Sequence, residues 1–147
     1  MQHDLDRARL VAAELTGSDE PVVTKAIVDA GLAETVVADL VKLHTLESGR
    51  PEDGVISLMT SLGAFALRYP YEGCLLMVAL YPLAGDLYLH QECENVEEYI
   101  YHLHPAGLET VLRNFASNAS DPYMRTKSLE WADCIAESVT RNQPDQN

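Results

Sequence analysis

Residues 52–89 read EDGVISLMTSLGAFALRYPYEGCLLMVALYPLAGDLYL, and the spacing of their apolar side chains decides the fold. Val55, Leu58, Met59, Leu62, Phe65 and Ala66 recur at three- and four-residue intervals, the stripe of a helix seated on a core. Residues 74–89 are apolar on every side, which predicts a second helix buried all round. Between them, Tyr69-Pro70-Tyr71-Glu72-Gly73 is expected to be a turn, because Pro70 drives Tyr69 out of the helical region and Gly73 tolerates unusual dihedrals. Pro82 lacks a backbone donor, so it should kink or split the second helix, with Gly85-Asp86 a further weak point.

The same periodicity runs outward in both directions. Toward the N-terminus, Leu5, Ala8, Val11, Ala12 and Leu15 predict a helix over 3–16. A second runs to Ala30, capped by Ser18 or Asp19 with Pro21 in its first turn. A third spans 33–47 with Val36, Val37, Leu40, Val41 and His44 on one face. The short Gly49-Arg50-Pro51 break makes it an antiparallel hairpin with the helix that follows. Toward the C-terminus, residues 90–94 read as a polar connection and Asn95 as the cap of a short helix over 96–103. A helix over 105–117 carries Leu108, Val111, Leu112 and Phe115, and the last, over 122–141, buries Trp131, Ala132, Ile135 and Val139. The fold class is therefore all-α, a compact orthogonal bundle of about seven or eight short helices in a single domain spanning 1–147.

Charge narrows the function. The chain carries 10 Lys and Arg against 23 Asp and Glu, a formal net charge of −13. A nucleic-acid binder needs clustered bases to displace counterions, and an anionic membrane needs the same, so neither is an expected partner. No uncharged run is long enough to span a bilayer as a helix. Residues 1–6 lack the apolar segment of a signal peptide, and Cys74, Cys93 and Cys134 show no CxxC spacing. Reduced, mostly buried thiols and a cytoplasmic setting are expected.

Residues 69–112 hold no Lys or Arg, seven of the acids and six of the seven tyrosines. Tyrosine gives broad contact area at low entropic loss, and carboxylates steer a cationic partner. The candidate partner-binding residues are Tyr69, Tyr71, Glu72, Asp86, Tyr88, Glu92, Glu94, Glu97, Glu98, Tyr99 and Tyr101. Tyr99 and Tyr101 lie about 200° apart on a helix, so one faces a partner while the other packs. His90, Cys93, His102 and His104 are suitable ligand types for zinc, but their spacing is wrong, and no metal or other cofactor is expected. An alternative is a pocket near Pro82 lined by Asp86, Tyr88 and His90, in which a buried Asp86 with a raised pKa would serve a small helical enzyme or ligand-binding domain.

Two local resemblances bear on this. Tyr69-Pro70-Tyr71-Glu72-Gly73 resembles the tyrosine–tyrosine–proline turn of the acidic all-helical immunity proteins that neutralise nuclease colicins, with Pro70 here between the tyrosines. The resemblance implies that Tyr69, Tyr71 and Glu72 contact a toxin. Asp121-Pro122-Tyr123-Met124-Arg125 resembles the Asp-Pro-x-Val-Arg opening of a HEAT-type repeat helix, although Ser128 and Trp131 stand where small alanines are usual. The functional expectation is an acidic inhibitor, an immunity protein or antitoxin meeting a basic toxin domain, with oligomeric state left open.

Overall fold

The computed structural model describes residues 3–142, with side chains over 5–138. Those residues form eight helices and no strand: α1 His3–Thr16, α2 Val22–Asp29, α3 Ala33–Ser48, α4 Pro51–Arg68, α5 Pro70–Asp86, α6 His90–Leu103, α7 Leu108–Asn118 and α8 Pro122–Asn142. The all-α expectation holds. The side chain of Val139 lies outside the described residues.

Helix α5 is the hub, touching α2, α3, α4, α6 and α7. That is why its sequence has no polar face: every side of it meets another helix, and Cys74, Leu76, Met77, Leu80 and Ala84 are fully buried. Burial pushes the Cys74 thiol up to about 12. Helix α4 packs closely on α5 because Gly73 lets it. A Cβ at Gly73 would come within 2.6 Å of the Cα of Ala66. Gly73 is thus helical, and its value is absent bulk rather than unusual dihedrals.

The expected turn at 69–73 does not form. Tyr69 alone joins α4 to α5, in non-helical backbone at φ −132° and ψ 78°, and Pro70 opens the next helix. A proline in the first turn needs no N–H partner, so the residue that read as a breaker is an initiator. Pro82 does not split α5; the helix runs on to Asp86 even though Pro82 leaves the Val78 carbonyl without its usual backbone donor.

Other local expectations also change. Neither Ser18 nor Asp19 caps α2; Glu14 of α1 does so from across the gap, its carboxylate accepting from the N–H groups of Val23 at 3.0 Å and Thr24 at 2.7 Å. Residues 90–94 form the first turn of α6, so Asn95 lies inside that helix, bridging Gln91 and Glu92. Cys134 is exposed rather than buried, and His44 is half-buried with its Nδ1 2.9 Å from the Ser57 hydroxyl. Asp121 caps α8, its Oδ1 accepting from the N–H of Tyr123 at 3.0 Å, while Arg125 donates to the Ala119 carbonyl at 2.7 Å. Helices α7 and α8 form a hairpin that leans on α5 and α6, sealed by the fully buried Trp131.

Candidate partner-binding surface

Helix α6 organises the acidic region. Val96 and Ile100 are buried, and Cys93 and Leu103 flank them, a stripe at three- and four-residue spacing that seats the helix on α5. Glu92 in the first turn is favoured by the positive end of the helix. The outward face then reads His90, Glu94, Glu98 and Tyr101 with His102, all exposed and spaced so that each lies one turn beyond the last. Glu98 lies 3.7 Å from the Nδ1 of His102, both in open solvent.

The remaining acids of 69–112 are distributed differently. Glu97 accepts from Lys127 Nζ at 2.8 Å and from the Trp131 indole N–H at 3.2 Å, so it ties α8 to α6. Burial alone would lower the Lys127 ammonium, but Glu97 outweighs it and its pKa is raised. Glu109 pairs with Arg113 at 2.9 Å. Glu72 is half-buried and acts on Lys25. Glu92 is half-buried, 3.4 Å from the amide of Asn95. The base-free run is thus partly answered by cations that the fold brings in from outside it.

The tyrosines divide in the same way. Tyr81 is buried, edge-on to Trp131 at 4.9 Å, with its hydroxyl 3.2 Å from that of Tyr123. Burial first, then the bond to Tyr123, pushes its pKa up. Tyr69 stacks on Phe65, with Lys25 5.1 Å and Arg68 5.7 Å from its ring centre, a basic rather than acidic neighbourhood. Tyr71 packs beside Gly107, and Tyr99 fills the space that the missing side chain of Gly63 leaves. Of the pair two residues apart, Tyr99 packs and Tyr101 is exposed. Partial burial, then the charge of Cys134, pushes Tyr101 up to about 12.

Tyr88 stands apart. It is 81% exposed, and its φ of 59° makes it the one non-glycine residue in the left-handed region among the described residues. It follows the α5 C-cap Leu87. Its N–H donates to Gly85 at 3.0 Å, and the N–H of Leu89 donates to Ala84 at 2.9 Å. That is the Schellman pattern, in which glycine is usual at the position Tyr88 holds. A side chain there costs about 1–2 kcal/mol. Strain of this kind persists where surrounding structure imposes it, and it is concentrated at functional sites.

Beside Tyr88 lies a cleft of about 370 Å³ between the end of α5 and the starts of α6 and α8. Asp86, Tyr88 and His90 line it, as the alternative pocket reading expected, together with Tyr81, Asp121 and Tyr123. Asp86 is exposed, however, so it lacks the burial on which a general-acid role rests. Tyr123 escaped the sequence reading because it lies outside the acidic window; its signal was its place directly after the Asp121-Pro122 cap. Among the described residues, no three His, Cys, Asp or Glu side chains are placed to hold a metal ion. No described helix is long and apolar enough to cross a membrane.

No protein-family model, curated protein or solved structure matches the chain.

Proposed function

We propose that the chain is an acidic binding and inhibitory protein, a cytoplasmic immunity protein or antitoxin whose α6 face and adjoining corner at Tyr88 meet a basic toxin domain, such as a nuclease. The observation that carries this reading is the outward stripe of Glu94, Glu98 and Tyr101, continued by the strained and exposed Tyr88. Carboxylates in open solvent steer a cationic partner at long range, and phenol rings supply the contact area once it arrives. Glu97 supports the fold instead, and Tyr69 and Tyr81 are packing residues. No catalytic step or cofactor is needed for such a role.

The test is capture at low salt followed by an activity assay. A captured protein should be basic, leave as ionic strength rises, and lose its enzymatic activity when the chain is added back in stoichiometric amount. Replacing Glu94 and Glu98 together by Lys should slow its association tenfold or more, on the scale of lost electrostatic steering, while leaving the helical content unchanged. An on-rate equal to the parent's would remove this face from the interface.

A further inference from the structure

We propose that the cleft beside Tyr88 seats one arginine side chain of the basic partner, an inference that rests on the inhibitory reading above and gives it a specific anchor. The cleft has the composition of a cation site rather than of a catalytic one. Its floor is Met124 and the nearly buried Tyr81, its rims are the exposed rings of Tyr88 and Tyr123, and Asp86 and Asp121 supply negative charge. Its volume of about 370 Å³ lies at the small end of ligand pockets, which run from about 300 to 1,000 Å³.

No Lys or Arg lines the cleft. The two cations near the start of α8 are engaged elsewhere. Lys127 is held by Glu97 at 2.8 Å and Glu130 at 3.6 Å, and Arg125 donates to the Ala119 carbonyl at 2.7 Å. Neither forms an ion pair with Asp86 or Asp121. Asp121 caps α8 through Oδ1. Arginine fits better than lysine because its planar guanidinium stacks on aromatic faces and offers a fork of donors to a carboxylate, whereas an ammonium is a compact, strongly hydrated point charge.

The experiment is a nuclear magnetic resonance titration of the full ¹⁵N-labelled chain at low salt. The probes are N-acetyl-arginine amide, its neutral isostere N-acetyl-citrulline amide, and a hexa-arginine peptide. The arginine amide should give saturable shifts centred on Tyr88, His90, Cys93 and Tyr123, and the citrulline amide should give none there. Asp86→Asn and Tyr88→Gly should each weaken the arginine titration, the latter by roughly two- to fivefold if a cation–ring contact is lost. Tyr88→Gly relieves strain, so unfolding would not explain its loss.

Equal shifts with citrulline, or parent-like titration of both variants, overturns the proposal. Hexa-arginine binding that responds to Glu94→Lys with Glu98→Lys, but to neither cleft variant, overturns the arginine seat and leaves the acidic-face reading standing. Failure of hexa-arginine to bind at all overturns both.

Discussion

The junctions α2–α3 and α5–α6 are the same structure built from different residues. In each, three residues link two helices: Ala30-Gly31-Leu32 and Leu87-Tyr88-Leu89. In each, the middle residue has positive φ, 76° for Gly31 and 59° for Tyr88. The hydrogen bonds correspond, Gly31 to Val28 and Leu32 to Ile27 in the first, Tyr88 to Gly85 and Leu89 to Ala84 in the second. Glycine adopts that conformation without penalty, and tyrosine does not. The first junction is what stability alone selects. The second accepts strain and gains an exposed phenol ring beside a cleft, and strain of this kind is concentrated at functional sites.

Exchanging the residues at the two junctions tests whether strain separates them. Gly31→Tyr should show the largest effect, a loss of about 1–2 kcal/mol in urea unfolding, since it adds the penalty where nothing compensates. Tyr88→Gly should raise stability by up to about 1 kcal/mol, the relieved strain being partly offset by the greater freedom of glycine in the unfolded chain. The same variant should bind the basic partner less well. A more stable protein that binds worse would separate the two roles of the residue, and a destabilised one would show that the ring holds the junction together. Tyr88→Asn should have the smallest effect, a gain of a few tenths of a kcal/mol, because asparagine tolerates the left-handed region better than tyrosine.

Much of the architecture was legible because apolar spacing reports faces directly. The stripes in α1, α3, α4 and α8 placed those helices to within a residue or two. The failures share a cause. Pro70 marks a turn or a first helical residue equally well, and only the packing of Gly73 on Ala66 decides between them. Residues 90–94 looked like a loop because the outside of α6 is polar, although Cys93, Val96, Ile100 and Leu103 already carried the helical period. The candidate surface was less legible because counting charges along a chain does not assign them to sides. Glu97 and Glu98 are neighbours in sequence, yet one binds Lys127 and Trp131 and the other faces solvent. Cys134 is three residues from Trp131, but α8 buries the side marked by Met124, Ser128, Ala132 and Ile135, which leaves Cys134 outside.

Glu14 has a consequence for how the N-terminal part assembles. With its two carboxylate oxygens holding the amides of Val23 and Thr24 and the Thr24 hydroxyl at 2.7 Å, α2 has no beginning of its own. An eight-residue helix is too short to persist unaided, so its order is inherited from α1. Loosening of α1 thus exposes those two amides to solvent exchange at the same moment, and the pair behaves as one cooperative segment rather than as two helices in succession.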